Sequence, residues 1–599
     1  MCGINGILRL TDAAPPIDRD ELLRTRDAMT ARGPDGAGAW ISGDGHVALG
    51  SRRLAILDLS EAGAQPMASA DGRFRLVMNG EIYNFQELRR ELEKEGLRFR
   101  SRSDTEVVLT LYARHGAAML GRLRGMFGLA IWDDREKSLL LARDPLGIKP
   151  LYFTPAAGKD GCLRFASQVK ALEAGGAVSR EADPAGVAGF LLWGSVPEPL
   201  TLRRAVRALP AGSYLLVRDG ATGEPQPYEP VTVEPLEPEA AVDDAVAVHL
   251  VSDVPVAVFL SAGLDSGLIA ALARRHLPEP PTTFTLSFDV LAGTPRDEAP
   301  FAATVARALG TRHVERRVGR GDFPALWRDA LAAMDQPSID GFNTFVVSRA
   351  AHEAGLKVVL SGLGGDEMFG SYPSFADVPR LERTARRAAR VPGLAAAWPA
   401  LARLAAPDRP KLAGLLRYGR TLPGAYFLRR GLFLPEELPG LLGRDAAAEG
   451  LAAYDPVADA ACALAAANGH APDGWTAVHA LETARYMRNQ LLRDADWAAM
   501  ASSVELRVPF VDAWLRQRLA ARGFEPARGQ GKAELARRAA PELPAALFRR
   551  EKAGFYIPVM EWLEPAGAGA RLGDQSRRLA LKVLAELGVS RSADAARER

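Results

Sequence analysis

The amino-acid sequence predicts two domains, an α+β sandwich over residues 1–200 and an α/β domain with a doubly wound parallel sheet over residues 241–562. The first range alternates short apolar runs and turns with only a few helical stretches. The second alternates apolar strands with helices, which is typical of a parallel sheet covered on both faces. Residues 201–240 are rich in proline and acidic residues, and we expect an extended linker there. Residues 563–599 form a tail of unknown role.

The strands of the first domain are short apolar or alternating runs bounded by Gly, Asp or Pro. We expect strands at 3–10, 47–57, 73–79, 126–132 and 138–142. We expect helices at 19–31, 85–95 and 104–115. This density of strands with few helices indicates a sandwich covered by helices.

The hydrophobic period changes in the second domain. We expect strands at 254–260, 282–288 and 356–362. We expect helices at 240–249, from 266 to about 275, and at 297–309. Residues 375–475 are rich in Ala, Leu, Arg and Pro, which predicts packed helices. We assign no chemistry to them. Ligands of such parallel sheets bind at the carboxyl ends of the strands.

Composition excludes several classes of function. The 599 residues are 48% apolar and 25% charged, as in soluble globular proteins. The net charge of +2 gives no indication of a nucleic-acid or membrane-surface partner. The 3 cysteines form neither a disulfide framework nor a zinc spacing, and no apolar run reaches the ~18 residues of a membrane span. We therefore expect a cytoplasmic protein without a signal peptide.

The second residue is the first sign of chemistry. Removal of Met1, which a small second side chain favours, would leave Cys2 with a free α-amine beside its thiol. An α-amine with a pKa of about 7.7–8.0 can take the thiol proton at neutral pH. Nucleophile and base would then share one residue, as in enzymes with an N-terminal threonine. The alternative is a cysteine that follows Met1 by chance.

Polar clusters punctuate the strands of the first domain. They are RGPDG (32–36), RRLAILD (52–58), NGEIYN (79–84), SDTEV (103–107) and RDPLGIKPLY (143–152). Any one of them could be a turn. Together with Cys2, and in this order, they resemble the glutaminase domain of class II glutamine amidotransferases, which is an N-terminal-nucleophile sandwich. The resemblance covers nearly all of residues 2–200.

The resemblance implies that Cys2 attacks the side-chain amide of glutamine and forms a thioester. Asn79 and the backbone N–H of Gly80 match the oxyanion hole of the family. Donors aimed at developing charge typically contribute about 10²–10³ each to the rate.

The resemblance also implies a binding site for the glutamine backbone. Arg53 matches the residue that binds the α-carboxylate, since a guanidinium fork suits a planar carboxylate. Glu81 and Asp104 match the pair that binds the α-ammonium. The one positive and two negative side chains thus match the negative and positive groups of the zwitterionic glutamine. The alternatives are a surface arginine at Arg53 and a helix cap at Asp104.

The turn SAGLDS (261–266) follows the first strand of the second domain. Its small residues let backbone N–H groups face an anion at a helix N-terminus, although a tight βα turn is the alternative. It lacks the GK[ST] ending of a Walker loop. A second glycine turn, SGLGGDE (361–367), ends another strand, so Asp265 and Asp366 would face one site. Hard carboxylates there suit Mg²⁺ that bridges phosphate groups.

SAGLDS resembles the pyrophosphate loop (SGGxDS) of ATP pyrophosphatases. Ala262 replaces the first loop glycine but keeps its N–H, which suffices if the position has a negative φ. SGLGGDE follows, then RYMRNQLLRDADWAAMASSVELRVPFVD (485–512) and REKAGFYIP (550–558). In this order they resemble the ATP pyrophosphatase-like synthetase domain of the asparagine synthetase family over about 245–562.

The second resemblance implies ATP and Mg²⁺ as cofactors, with adenine contacts from Leu260 and Leu286. It implies pyrophosphate or nucleotide contacts from Ser261, Gly263, Asp265, Ser266, Ser361 and Gly362. Lys552 matches a catalytic lysine that neutralises charge on the phosphates or the intermediate, and the alternative is a surface lysine.

One position departs from the family pattern. Asparagine synthetases read SGEGxDE at the second glycine turn, whereas Leu363 stands at the position of the glutamate here. That glutamate is linked to the aspartyl-adenylate step, and leucine can neither bind a cation nor move a proton. We therefore expect an acceptor pocket formed by Leu363 and aromatic residues, which favours an acceptor larger or less polar than aspartate. The aromatic residues are Phe342, Phe345 and Phe369.

The predicted function is that of a glutamine-dependent, ATP-cleaving amidotransferase. Its substrates would be glutamine, ATP and a carboxylate acceptor, and its products an amide, AMP and pyrophosphate. In water at neutral pH ammonia is mostly protonated to ammonium, which is a poor nucleophile. We therefore expect a dry internal channel that carries ammonia between the domains. The alternatives are an asparagine synthetase that tolerates Leu363, a cyclase that closes an internal amide, and a non-catalytic glutamine sensor. The sequence does not determine the oligomeric state, and a homodimer is one alternative.

Overall fold

A computed structural model describes residues 2–155, 160–406, 409–467, 474–522, 531–550, 559–563 and 572–588. Within these ranges the N-terminal half is built mainly of strands and the C-terminal half mainly of helices around one sheet. The predicted strands and helices of both halves are present, with boundaries that differ by a few residues.

The N-terminal half begins with a strand that carries Cys2. Its strands are β1 (Cys2–Arg9), β2 (Gly36–Ile41), β3 (Val47–Arg53), β4 (Met67–Ala68), β5 (Phe74–Ile82), β6 (Gly125–Asp133), β7 (Ser138–Arg143), β8 (Tyr152–Phe153), β9 (Cys162–Ala166), β10 (Arg207–Ala208), β11 (Ser213–Arg218), β12 (Ala221–Thr222) and β13 (Gln226–Pro227). Its helices are α1 (Arg19–Asp27), α2 (Phe85–Lys94), α3 (Asp104–His115), α4 (Val169–Gly175) and α5 (Pro184–Trp193).

Two antiparallel sheets form a sandwich in this half. One has the strand order β10-β8-β9-β1-β3-β2, and the other β12-β11-β7-β6-β5-β4 with β13 paired to β11. Apolar side chains from both sheets meet between them, among them Ile4, Leu49, Val77 and Trp132. Helices α2 and α3 pack on the outer face of the second sheet in a separate apolar cluster. The sandwich therefore has the layered α+β architecture that the sequence predicts.

The C-terminal half surrounds a parallel sheet with helices. Its strands are β14 (Val256–Phe259), β15 (Thr282–Phe288), β16 (Arg312–Val318), β17 (Val358–Leu360) and β18 (Glu505–Arg507). Its helices are α6 (Pro238–His249), α7 (Leu264–His276), α8 (Ala299–Leu309), α9 (Phe323–Ala333), α10 (Phe342–Glu353), α11 (Gly365–Met368), α12 (Ser374–Ala388), α13 (Leu394–Ala405), α14 (Leu415–Tyr418), α15 (Leu422–Arg430), α16 (Leu438–Leu442), α17 (Arg444–Ala453), α18 (Pro456–Ala467), α19 (Gly474–Leu481), α20 (Arg493–Met500), α21 (Ala513–Ala521), α22 (Gly531–Ala539), α23 (Val559–Leu563) and α24 (Leu572–Glu586).

The parallel sheet has the order β16-β15-β14-β17-β18. Val258 of β14 lies opposite Leu360 of β17, so the loops that follow these two strands leave the same edge of the sheet side by side. Between α19 and α20 the segment Glu482–Leu492 is a π-helix. Such wide turns are frequent at functional sites.

Residues 201–240 differ from the expected linker. Strand β11 pairs with β7, and β12 and β13 pair with β11, so this segment supplies an edge of the second sheet. The burial of SYLLVR (213–218) alternates as a strand requires. Helix α6 then begins at Pro238, a residue that suits the first turn of a helix.

The two halves share one apolar core. Leu54, Ile56, Met126 and Ile148 of the sandwich belong to the same buried cluster as Met500 and other residues of the C-terminal half. No helix in the described ranges is both long and apolar enough to cross a membrane.

Candidate active sites

Cys2 and Asn79 lie together inside the sandwich. The backbone nitrogen of Cys2 donates to Asn79 Oδ1 at 3.1 Å. Asn79 Nδ2 is buried and has no hydrogen-bond acceptor among the described residues. An unsatisfied buried donor costs free energy, and this one belongs to a side chain that is hydrogen-bonded to the backbone of Cys2. It is therefore available to an oxygen that develops negative charge at this point.

Gly80 follows Asn79 on β5, and packing requires a glycine there. A Cβ at Gly80 would lie 2.1 Å from the carbonyl oxygen of Met126 and 2.6 Å from Phe127 Cα. While Met1 is attached, burial raises the pKa of the Cys2 thiol. The site is thus enclosed, and the thiol needs a neighbouring base to lose its proton.

Arg53 lies opposite Cys2 in the register of β1 and β3. Its guanidinium donates to the carbonyl oxygens of Leu57 and Ser60, both at 3.1 Å. A Cβ at Gly63 would lie only 2.2 Å from Arg53 Nη2. The surrounding loop therefore holds the guanidinium in one position beside the nucleophile.

Glu81 and Asp104 are both buried close to Asn79. Asp104 Oδ2 accepts a hydrogen bond from the Ile82 amide at 2.9 Å, whereas the cap of α3 is made by the hydroxyl of Ser103. Burial raises the pKa of both carboxyls, and the charge of Glu505 raises that of Glu81 further. Carboxyls desolvated in this way are stabilised as anions when a cation binds between them. The pair is suited to an ammonium group.

The two loops of the C-terminal half meet at the edge of the parallel sheet. A Cβ at Gly362 would lie 2.8 Å from Asp265 Cβ, and one at Gly365 would lie 2.5 Å from Asp265 Oδ1. These glycines are therefore required by the close approach of the loops. Ser361 is adjacent, and its backbone amide donates to the carbonyl oxygen of Arg507 at 2.9 Å.

The pyrophosphate-type loop is closed by its own hydroxyl groups. The Gly263 amide donates to Ser261 Oγ at 3.1 Å, and the two hydroxyls of Ser261 and Ser266 lie 2.9 Å apart. Ala262 is not among the described non-glycine residues with a positive φ, so the replacement of glycine introduces no left-handed strain. Helix α7 starts at Leu264, with its N-terminus at the loop.

Lys532, at the start of α22, joins the two loops. Its Nζ lies 2.5 Å from Asp265 Oδ2 and 3.0 Å from Asp366 Oδ1. Burial opposes the charge, but the two carboxylates outweigh it and raise the pKa of Lys532. In the part of the chain that the structure describes, no group of three or more Asp, Glu, His or Cys side chains could hold a metal. Lys552 lies outside the described residues.

A cavity of about 630 Å³ opens at these loops. Leu260 and Leu286 line it together with Phe259 and Phe284, which gives an apolar surface suited to a planar base. Leu363 lines the same cavity and also packs against the apolar core shared by the two halves.

The expected aromatic acceptor pocket is not present. Phe342, Phe345 and Phe369 are each no more than 6% exposed, and none of them lines the cavity. They pack against other aromatic rings of the core, namely Phe323, Trp497 and Phe510. Phe342 and Phe345 lie on the face of helix α10 that packs into the core, so Asn343 and Thr344 of the same helix line the cavity instead. Phe369, which follows α11, is buried in the core shared by the two halves.

Arg507, the last residue of β18, connects the two sites. Its Nε donates to Glu505 Oε1 at 2.5 Å, and its Nη2 lies 4.0 Å from Glu81 Oε2. Its carbonyl oxygen holds the Ser361 amide. One buried arginine therefore contacts an acid of the first site and the loop of the second.

Comparisons with known proteins agree with this arrangement. A glutamine amidotransferase domain model matches residues 1–229, and an asparagine synthase model matches residues 237–590. A Mycobacterium tuberculosis relative that carries the asparagine synthetase name is 33% identical over 94% of this chain and 88% of the relative. Asparagine synthetase [glutamine-hydrolyzing] 1 of Bacillus subtilis is 30% identical over 94% of this chain and 88% of the relative. The chain belongs to the asparagine synthetase family.

Some relatives of this chain carry a name other than asparagine synthetase. Amidase chry2 of Gibberella zeae is 30% identical and matches 63% of this chain and 60% of the relative.

Several residues at the second site of this asparagine synthetase family member were not predicted from the sequence. They are Asp340, Asn343, Thr344, Asp494 and Lys532. Lys532 begins an ordinary amphipathic helix with no local motif. Asp340 lies in an Asp-Gly dipeptide, which signals only a turn. Asp494 lies in the run 485–512, where sequence alone does not distinguish it from Asp496.

Proposed function

We propose that this asparagine synthetase family member hydrolyses glutamine at Cys2 and transfers the ammonia to a carboxylate activated as an acyl-AMP. Pyrophosphate is released when the acyl-AMP forms, and AMP when ammonia attacks the acyl carbon. The single observation that carries the proposal is the buried, unsatisfied Nδ2 of Asn79, a residue whose Oδ1 accepts a hydrogen bond from the backbone nitrogen of Cys2.

After removal of Met1, the α-amine of Cys2 takes the thiol proton, which overcomes the effect of burial on the thiol pKa. Asn79 Nδ2 and the Gly80 N–H then donate to the oxyanion of the tetrahedral intermediate. Arg53 binds the α-carboxylate of glutamine, and Glu81 with Asp104 binds its α-ammonium. The α-ammonium of Cys2 returns the thiol proton to the amide nitrogen, which leaves as ammonia, and water then hydrolyses the thioester to glutamate and free Cys2.

Ammonia passes to the second site through the core shared by the two halves. Leu54, Ile56, Met126 and Ile148 lie in this apolar cluster, and Leu363 packs against it at the edge of the ATP cavity. An apolar passage excludes the water that would protonate ammonia.

ATP binds at the edge of the parallel sheet in this proposal. Leu260 and Leu286 contact the adenine, and the amides of the loop 261–266 face the phosphates at the N-terminus of α7. Asp265 and Asp366 suit Mg²⁺, which when bound would neutralise phosphate charge. Lys532 supplies a fixed ammonium at the same point. Lys552 is proposed as a second cation on the basis of its motif.

The acceptor differs from aspartate in this proposal, because Leu363 stands at the position of the family glutamate. Leu363 supplies apolar surface where ammonia enters and takes no part in proton transfer.

The experiment mixes the full chain with ATP, Mg²⁺ and amide-¹⁵N glutamine, with aspartate or with other carboxylates, and follows pyrophosphate and labelled amides by mass spectrometry. We expect glutamine hydrolysis and no labelled asparagine. Cys2→Ala should lose glutamine hydrolysis while amide formation from ammonium chloride persists. Stoichiometric asparagine and AMP would show an asparagine synthetase that tolerates Leu363, and no hydrolysis by mature Cys2 enzyme would refute the amidotransferase proposal.

A further inference from the structure

A cavity of about 680 Å³ lies outside both candidate active sites. Helices α18, α19 and α21 and the π-helix Glu482–Leu492 line it, and Pro145 of the sandwich and Met368 of α11 contribute to its wall. Among the described residues it has no lining residue in common with the ATP cavity. Small-molecule sites typically have volumes of about 300–1,000 Å³, so this cavity is large enough for a ligand of its own.

The polar lining of this cavity is positively charged. Arg485, Arg488 and Arg516 line it, and no acidic side chain lines it in the part of the chain that the structure describes. Burial lowers the pKa of Arg488 to about 10, and the charges of Arg485 and Arg516 add to this effect. Arg488 stays charged at neutral pH, so its burial costs free energy that a bound anion would recover.

Arg488 has no carboxylate of its own. Its Nε donates to the carbonyl oxygen of Leu146 at 3.4 Å, and it forms no ion pair with a described residue. The charge of Glu198 favours the guanidinium of Arg488. However, Glu198 already pairs with Arg143 at 3.0 Å and with Arg493 at 3.4 Å. One carboxylate thus serves two other arginines before it reaches Arg488.

Arg516 and Arg485 differ in their pairing. Burial alone lowers the pKa of Arg516, and no described carboxylate forms an ion pair with it. Arg485 pairs with Asp459 at 2.8 Å, but its buried Nε has no acceptor among the described residues. The cavity therefore has two guanidinium charges that no carboxylate neutralises and one further N–H that is unsatisfied.

Two neutral donors stand on helix α19. The ring of His479 stacks on that of Trp475 at a centroid distance of 5.3 Å, and both residues line the cavity. Burial and the charge of Arg516 lower the pKa of His479 to about 4, so at pH 7 it is neutral and can donate one N–H. Trp475 Nε1 is buried and has no acceptor among the described residues. The charged groups are thus accompanied by hydrogen-bond donors.

We propose that this cavity binds a phosphate monoester with an apolar body, and that Arg488 and Arg516 hold the phosphate. A phosphate monoester carries a charge of about −1.5 to −2 at pH 7 and three strong acceptor oxygens, which match two guanidinium groups without carboxylates. The remaining wall is formed by small apolar side chains, among them Ala463, Ala480 and Leu519. A bare phosphate ion would leave most of this space empty. The proposal is independent of the proposed function, because the cavity lies apart from the glutamine and ATP sites.

The test measures the binding of phenyl phosphate to the full chain by isothermal titration calorimetry. The comparison ligands are inorganic phosphate, which lacks the ring, benzoate, which has the ring and one charge, and succinate, which has two charges and no phosphate. We expect phenyl phosphate to bind at least about tenfold more tightly than each of them. Arg488→Gln and Arg516→Gln should each weaken the binding of phenyl phosphate by about tenfold or more.

Arg522→Gln is the matched control, since it removes the same charge just after α21 from a half-exposed arginine that pairs with Glu237. Lys532→Met is the control for the ATP cavity. Neither should change the affinity for phenyl phosphate. If one cavity variant fails to fold, the other variant and the comparison of ligands in the unaltered protein still test the proposal.

Three results would overturn the proposal. The first is the absence of phenyl phosphate binding to the unaltered protein. The second is equal or tighter binding of benzoate or succinate, which would show a site for carboxylates. The third is a loss of affinity in Lys532→Met that exceeds the loss in both Arg488→Gln and Arg516→Gln, which would place the probe in the ATP cavity.

Discussion

Arg32 of the sandwich and Asp496 of helix α20 form a bidentate ion pair at 2.7 and 3.1 Å, although 464 positions separate them in the chain. Both side chains are almost completely buried. Arg32 Nε also donates to the carbonyl oxygen of Cys2 at 3.3 Å. The peptide that carries the nucleophile is therefore bound, through one arginine, to a helix of the ATP-binding half.

Removing either partner of this pair should destabilise the protein by about 3–5 kcal/mol, because the remaining charge stays buried without its bidentate partner. Asp496 would keep only the longer contact with Lys149, at 3.5 Å. We expect Arg32→Met and Asp496→Leu each to lower the melting temperature, and the double variant to lose less than the sum of the two. Calorimetry of the three variants measures the coupling. Lys357→Met, which breaks the more exposed pair with Asp35, is the control and should cost about 1 kcal/mol or less. Strictly additive losses for Arg32 and Asp496 would contradict a coupled pair.

Asn79 tests the oxyanion hole. Asn79→Asp keeps an oxygen for the Cys2 nitrogen but removes the Nδ2 donor. We expect kcat for glutamine hydrolysis to fall by about 10²–10³, and Asn79→Ala to fall at least as far. Amide formation from ammonium chloride should not change. An Asn79→Asp enzyme with undiminished glutaminase activity would assign the oxyanion to other donors.

Gly63 tests the placement of Arg53. In Gly63→Ala the added Cβ would meet Arg53 Nη2 at 2.2 Å and displace the guanidinium. We expect the KM for glutamine to rise about tenfold, which corresponds to about 1.4 kcal/mol of binding, with a smaller change in kcat. Gly43→Ala is the control, because a Cβ at Gly43 meets no atom within 4 Å. Equal effects of the two substitutions would remove the argument for Arg53.

How much of this the sequence predicts depends on whether a residue acts within a local motif. The elements and the two loops follow from strand periods and short runs of residues, and the roles predicted for Cys2 and Asn79 follow from the resemblance of those runs to a known family. Lys532 does not, because its partner Asp265 lies 267 positions away in the chain. Asp340 does not either, because it meets Asp494 through Ser338, whose hydroxyl donates to Asp494 across 156 positions. The aromatic rings of α10 were expected at the cavity, but periodicity gives the faces of a helix and not which face meets the core.

Lys532 is predicted to be essential at the ATP site. Lys532→Met leaves Asp265 and Asp366 facing each other without the ammonium between them. We expect pyrophosphate formation to fall by about 10² or more, since a fixed cation at the phosphates is lost, while glutamine hydrolysis continues. Arg538→Met, on the same helix and paired with Glu239 at the surface, is the control. Unchanged pyrophosphate formation in Lys532→Met would exclude a role for this lysine.

The stability of the protein should depend on pH through Asp494. Burial, with the charge of Asp340, raises the pKa of Asp494 to about 7, whereas the unfolded carboxyl titrates at about 3.9. The folded state keeps a proton that the unfolded state loses, so this group destabilises the fold increasingly from about pH 4 to pH 7 and constantly above that. Asp494→Asn mimics the protonated acid, and its melting temperature relative to the unaltered protein should rise between pH 5 and pH 8. A difference that stays constant over this range would contradict the assigned pKa.

The pairing of β11 with β7 decides where this chain can be divided. A fragment that stops at residue 200 would lack β11 and would expose the backbone N–H and C=O groups of β7 along one side. Such a bare strand is a template for another copy of the same strand, so the fragment would aggregate. A fragment that continues to residue 229 keeps its own edge, yet it still exposes the apolar side chains that it now shares with the other half. The chain can be cut after the N-terminal half, but that half would not be stably folded by itself. We therefore expect glutaminase activity only in the full chain.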